Sequence, residues 1–307
     1  MEAAWKRELG HRLRRWRRTL KSRLPYVRRR EYVKVRDKYE LLTRTLGMGV
    51  RRADEATIVV RKACAAPLTG DVCFFLSFQP APALKPHVAR HLEHLLAQGL
   101  RVVLILNAAV APSDVVIDPA LEARLDAVFV RENAGYDFAG WAHVHTLLRP
   151  MLDAERLFLV NDSIVGPLQA EHLASVMERI RRSRADVIGL TEALTPVPHL
   201  QSFFLAFGRR ALPELARFFG EVLCFDDKAT VIDVYETQLT ARAQRAGLVC
   251  EALFPALSDD PHASNDTFFR WPELIRAGFP YIKTSVLAQF AGDPELVALI
   301  PPEWRAA

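Results

Sequence analysis

The sequence predicts an α/β fold with a mostly parallel central sheet, and three observations predict it. Short apolar runs at 72–78, 101–107, 127–130 and 156–160, rich in Val, Leu and Phe and flanked by polar residues, Gly or Pro, read as strands buried on both faces. Stretches with apolar residues at helical spacing lie between these runs, so strand and helix alternate. Half of the 307 residues are hydrophobic, ample for a core, and no run of 18 or more apolar residues is present, so no transmembrane helix is expected.

Residues 3–24 read as a basic amphipathic helix. Trp5, Leu9, Leu13, Trp16, Leu20 and Leu24 are spaced to form one apolar stripe, most Arg and Lys lie off it, and Pro25 ends it. Residues 1–40 hold 15 Lys/Arg against 5 Asp/Glu, a net +10, while the rest of the chain is net −5. The basic balance therefore belongs to this extension. Three partners fit it: a membrane interface, the chain's own domain, or nucleic acid. Two Trp within the stripe favour an anionic membrane surface, and no nucleic-acid partner is expected. The charged start lacks the apolar segment of a secretory signal. Four scattered cysteines without metal spacing read as reduced thiols. The location expected is cytoplasmic, peripheral to the inner face of the cell membrane.

Residues 41–70 read as a connector, with 57–61 as an edge strand. The first confident strand, 72–78, leads to a helix at 87–97 that carries His87, His91 and His94, expected to face solvent, and then to the strand 101–107. No GxGxxG and no Walker lysine motif follows these strands, so dinucleotide and P-loop readings find no support.

The strand at 127–130, a helix at 141–152 stopped or kinked by Pro150, and the strand at 156–160 form a βαβ unit. Its two strands are expected to be parallel neighbours. Past their C-terminal ends lie Arg131-Glu132-Asn133-Ala134-Gly135-Tyr136-Asp137 and Asn161-Asp162-Ser163. Ligands of open parallel sheets bind in the crevice at that end, so Asp137 and Asp162 are expected to rim one crevice. Gly135 permits a tight turn there. A carboxylate after a buried strand fits Mg²⁺ or Mn²⁺ bridging to a diphosphate, since such ions use one or two carboxylates plus phosphate oxygens. The plainer alternative is that Asn133, Asp137 and Asp162 cap helices or close turns.

Downstream come a helix at 170–182, a strand at 186–190 and a Pro-containing loop at 191–199 over the site. His199 and Gln201 then enter the apolar run 203–207, either facing the pocket or making strand-end hydrogen bonds. Helices at 212–219 and 231–246 follow; the second carries Glu236 as a pocket base or a solvent-exposed residue, with Asp226, Asp227 and Asp233 weaker candidates for the same role. A strand at 248–254, an acidic loop at 258–265, a short helix from 271 and a peripheral tail at 293–307 complete the chain.

Arg131-Glu132-Asn133-Ala134-Gly135-Tyr136-Asp137-Phe138 and Asn161-Asp162-Ser163-Ile164-Val165-Gly166-Pro167-Leu168 resemble the signature blocks of the rhamnan synthesis F family. Residues 199–204, 236–240 and 278–283 agree with later blocks of that family, and the resemblance covers about residues 70–290. It implies a GT-A-like nucleotide-diphospho-sugar transferase domain over 71–292, acting in bacterial surface-polysaccharide or lipopolysaccharide synthesis. It implies a nucleotide-diphosphate sugar donor, dTDP-rhamnose being the one indicated, and a lipid-linked glycan acceptor. Asp162 would hold Mg²⁺ or Mn²⁺. Arg131, Glu132, Asn133, Gly135, Asp137, Asn161 and Ser163 would bind the donor, His199 and Gln201 the acceptor, and Glu236 would be the general base. The family's metal motif is Asp-x-Asp, where this chain reads Asn161-Asp162-Ser163, with one carboxylate. A degenerate transferase serving as a glycan-binding or membrane scaffold is the alternative.

Overall fold

A computed structural model describes residues 50–257 and 265–305. The amphipathic helix expected at 3–24 and most of the acidic loop at 258–265 lie outside the described residues.

The predicted class is the one observed, an α/β fold on a mostly parallel sheet. Nine strands form it: β1 (Ile58–Lys62), β2 (Leu68–Gln79), β3 (Arg101–Ala108), β4 (Ala127–Glu132), β5 (Leu152–Asn161), β7 (Val187–Ala193), β8 (His199–Leu200), β9 (Phe204–Gly208) and β10 (Cys250–Phe254), while β6 (Ile164–Val165) lies apart. The order is β1-β4-β3-β2-β5-β9-β7-β10, with β8 on β7. The pairs β4–β3, β3–β2, β2–β5 and β7–β10 are parallel; β1 and β9 run antiparallel to their neighbours. The edge strand read at 57–61 is β1.

The expected strand pairing is corrected. β4 and β5 are parallel in direction but are not neighbours, because β3 and β2 lie between them. The chain steps outward from β2 to β3 to β4, and helix α2 (Tyr136–Leu148) carries it back to the far side of β2, where β5 pairs. Periodicity reveals the βαβ unit but not how many strands its helix crosses. The crossing makes β2/β5 the point where strand order reverses, which is where such sheets open a crevice.

Side chains alternate between the two faces of a strand. Val72, Phe74 and Leu76 of β2 and Leu157 and Leu159 of β5 pack beneath α2. Cys73, Phe75, Phe158 and Val160 pack on the opposite face against α1 (Pro86–Ala97) and α3 (Ala170–Arg182). The histidines of α1 do not simply face solvent: His87 and His91 are buried, and His91 Nε2 lies 3.0 Å from Tyr281 Oη. They fall on the same helical arc as Val88, Leu92 and Leu95, so the arc that fills the core takes them with it. Residues 294–305, read as a peripheral tail, bury Leu296, Ile300 and Trp304 in a third apolar cluster. No helix among the described residues is long and apolar enough to cross a membrane.

Candidate functional site

A cavity of about 560 Å³ opens beside the C-terminal end of β5, within the size range of small-molecule sites. Asp137 enters it from the first turn of α2, and Asn161 and Ser163 from the end of β5. The end of β7 and the segment after it line it through Ala193, Thr195 and Pro196, as expected of the Pro-containing loop. His199, Gln201 and Ser202 come from β8 and the turn after it, Glu236 from a helix, and Lys283 from strand β11 (Ile282–Lys283).

Alternation along β5 decides which part of Asn161-Asp162-Ser163 reaches the cavity. Asn161 continues the face of Leu157 and Leu159, toward α2. Its Nδ2 donates to Asp137 Oδ2 at 2.7 Å, and its Oδ1 accepts from Ser163 N at 3.0 Å and Ser163 Oγ at 2.6 Å. Asp162 falls on the opposite face. There its Oδ2 accepts from Lys85 Nζ at 2.6 Å, Ser77 Oγ at 2.7 Å and the Phe78 amide at 3.2 Å.

The metal role expected of Asp162 finds no support in this geometry. Its Oδ2 is occupied by three donors, one of them an ammonium, and Asp162 does not line the cavity. The residues that do face the cavity at this turn, Asn161 and Ser163, are neutral. Among the described residues no group of three His, Cys, Asp or Glu side chains is disposed to hold a metal. This turn does not fit the cation assigned to it.

The 131–137 loop divides between scaffold and site. Arg131 is buried under the loop rather than open to a donor. It donates to the carbonyls of Ala134 (2.6 Å), Glu132 (3.0 Å) and Ala53 (3.4 Å) and to Asn107 Oδ1 (3.3 Å). Glu132 pairs with Arg51 and accepts from the Thr57 amide at 3.0 Å; the Arg51 bond first, then the Thr57 amide, hold its carboxyl down at about 2. Asn133 is exposed on the loop outside the cavity. Gly135 has φ +73°, and a Cβ there would stand 2.5 Å from Ala139 Cβ and 2.7 Å from Cys224 Cα, so its part is to let the loop pass. Arg131, Glu132, Asn133 and Gly135 thus shape the turn that delivers Asp137. Asp137 alone of the predicted donor set in this block reaches the cavity, with Tyr136 beside it.

The Asp137 carboxyl is pushed up to about 7. Burial is the main cause, the Asp162 and Glu236 charges add to it, and Lys228 and the Asn161 hydrogen bond oppose it.

Across the cavity, Glu236 closes a one-turn π-helix, Ile232–Glu236, set between the helices Lys228–Val231 and Thr237–Arg245. Such widened turns recur at functional sites. Ser202 Oγ donates to Glu236 Oε2 at 2.6 Å, and His199 Nε2 stands 3.6 Å from Oε1. His199 Nδ1 donates to the Val197 carbonyl at 2.7 Å, which fixes the ring. Burial pushes the Glu236 carboxyl up, but His199, Ser202 and Lys283 together outweigh it and hold the group below its ordinary value. Burial likewise lowers the His199 imidazole, and Glu236 and the Val197 carbonyl more than compensate, so it rises. Gln201 Oε1 accepts from Thr191 Oγ1 at 2.7 Å and Thr267 Oγ1 at 3.3 Å, which orients the amide at the cavity wall. His199, Gln201 and Glu236 are therefore brought together, as expected. Asp227 caps the Thr230 amide, and Asp226, Asp227 and Asp233 do not line the cavity.

Two lysines complete the site. The pairing of β11 with β6, Lys283 opposite Ile164, carries it to the Asn161–Ser163 turn, with its ammonium 4.1 Å from the Phe203 ring centroid. Burial pushes it down to about 8, Lys228 adding and the Glu236 and Asp137 carboxylates opposing. Lys228 has no local sequence signal; folding of its helix against α2 supplies it.

The model of the family described as rhamnan synthesis protein F matches residues 102–298, which include every cavity residue from Tyr136 to Lys283. The uncharacterized protein y4gN of Sinorhizobium fredii (strain NBRC 101917 / NGR234) is 29% identical over 195 residues, covering 61% of this chain and 49% of that protein. The chain thus spans about half the length of that relative. Virulence protein VirA of Vibrio anguillarum (strain ATCC 68554 / 775) is 27% identical over 220 residues, covering 60% of this chain and 70% of that protein. Among solved structures, the mannosyltransferase PcManGT from Pyrobaculum calidifontis, in complex with GDP-Man and Mn²⁺, aligns with a TM-score of 0.36 and 12% identity over 81% of this chain and 70% of that one.

Proposed function

The chain belongs to the rhamnan synthesis protein F family, and from that premise we propose that it is a GT-A-like glycosyltransferase of bacterial surface-polysaccharide synthesis, using a nucleotide-diphosphate sugar donor. The observation that carries this reading is Glu236. It is a carboxylate held ionised at a cavity wall by Ser202 and His199, where a base is needed.

In the proposed reaction the acceptor hydroxyl lies against Glu236, which takes its proton as the oxygen attacks the anomeric carbon. The new glycosidic bond forms while the bond from that carbon to the diphosphate breaks, and the nucleoside diphosphate leaves with the electron pair. A positioned carboxylate of this kind contributes about 10²–10⁴-fold. His199 and Ser202 orient Glu236 and keep it deprotonated. Asp137, poised near neutrality, faces the donor, and Gln201 offers its fixed amide to a sugar hydroxyl. Rhamnose from dTDP-rhamnose as donor sugar and a lipid-linked glycan as acceptor follow from the family resemblance. A peripheral position on the inner membrane face, through the stripe at 3–24, would keep the enzyme beside such an acceptor.

The test is release of nucleoside diphosphate from a panel of nucleotide sugars presented with a lipid-linked acceptor. Turnover by the native chain and its loss in Glu236→Gln, with the fold intact, is expected. Full turnover in Glu236→Gln would remove the base from this scheme, and no turnover with any donor would favour the scaffold reading.

A further inference from the structure

Resting on the transferase reading above, we propose that Lys228 and Lys283 form the cationic seat of the donor diphosphate, and that donor binding needs no divalent metal.

Two ammonium groups enter one cavity from unrelated parts of the chain. Lys228 begins the helix that leads to Glu236, and Lys283 ends the short strand paired beside the Asn161–Ser163 turn. They are near enough that the Lys228 charge helps to depress Lys283. Among the described residues neither ammonium is drawn into an ion pair. Of the carboxylates that act on Lys283, Glu236 is engaged with Ser202 and His199. Asp137 is partly protonated near neutrality and neutralises them only in part.

A desolvated ammonium beside a like charge costs stability, which the Phe203 ring and the Glu236 and Asp137 charges offset only in part. An entering anion removes that penalty, and a diphosphate with two phosphoryl groups matches two cations. The neutral pair Asn161 and Ser163, at the turn where a metal-binding transferase needs acid, points the same way. A leaving diphosphate stabilised by fixed ammonium groups has its charge met without a metal.

The experiment is calorimetric titration of the full chain with UDP, GDP and dTDP, each in EDTA and again in excess Mg²⁺ or Mn²⁺. It is repeated on Lys228→Met, Lys283→Met and Lys283→Arg, with circular dichroism as the check on folding. The expected result is saturable binding in EDTA that metal leaves unchanged. Lys228→Met should weaken it about ten- to a hundredfold, the worth of one charge-assisted hydrogen bond, and Lys283→Arg should retain it. Lys228 is exposed, so its variant remains informative if Lys283→Met fails to fold. Binding that requires the metal, or that survives Lys228→Met undiminished, overturns the proposal and leaves the transferase reading standing. No binding of any nucleoside diphosphate under any condition overturns both.

Discussion

Replacing Asp137 with asparagine removes a charge while keeping the shape and an oxygen for the Asn161 Nδ2 donor. The native carboxyl is pushed from 3.8 up to about 7, first by burial and then by Asp162 and Glu236. The fold therefore favours the protonated form. The contribution to stability is fully present below about pH 4 and is lost as pH rises toward 7. Above that, native protein carries the whole penalty and the asparagine variant carries none. About three pH units at 1.36 kcal/mol each sets an upper limit of about 4 kcal/mol. The cavity is open to water, so screening leaves about 1–3 kcal/mol, or roughly 3–10 °C in Tm for a domain of this size. Thermal unfolding followed between about pH 4 and pH 8 measures it. The variant should melt close to native protein at the acid end and above it at the alkaline end, while turnover falls. Equal melting at the alkaline end, or a difference that does not change with pH, refutes the reasoning.

Ser202→Ala removes one of the bonds that hold Glu236 below its ordinary value. The acidic limb of the kcat/KM profile should move to higher pH, and an unmoved limb would dissociate Ser202 from the base. Arg131→Met leaves the Ala134 and Glu132 carbonyls without their donor, and a loss of about 2–4 kcal/mol is expected from the denaturant midpoint. Asp162→Asn breaks a partly exposed ion pair with Lys85, so stability should fall by about 1 kcal/mol. Nucleoside-diphosphate titration should be unaffected in that variant, and abolished binding would restore Asp162 to the site.

Much of the site was legible locally. Buried strands read as unbroken apolar runs because both faces of the sheet are covered, and polar residues after such runs are conspicuous. Asp137, Asn161 and Ser163, which line the cavity, stand out in this way, and His199, Gln201 and Glu236 with the help of the family resemblance. The same proximity to strand ends over-assigned Arg131, Glu132 and Asn133, since a loop that presents one residue needs others to hold it. Asp162 misled for a different reason. A lone acid after a buried strand looks like a ligand, and only the face it takes shows otherwise.

The sequence by itself determined the α/β class, the main buried strands, and the turn chemistry at Gly135, because periodicity and backbone strain act within a few residues. Only the tertiary structure decided that β2 and β3 part β4 from β5. It alone decided that Asp162 meets Lys85 instead of the cavity, and that Lys228 and Lys283 share that cavity with Glu236. These depend on which strands pair and which faces are covered, and such choices minimise exposed apolar surface over the whole chain.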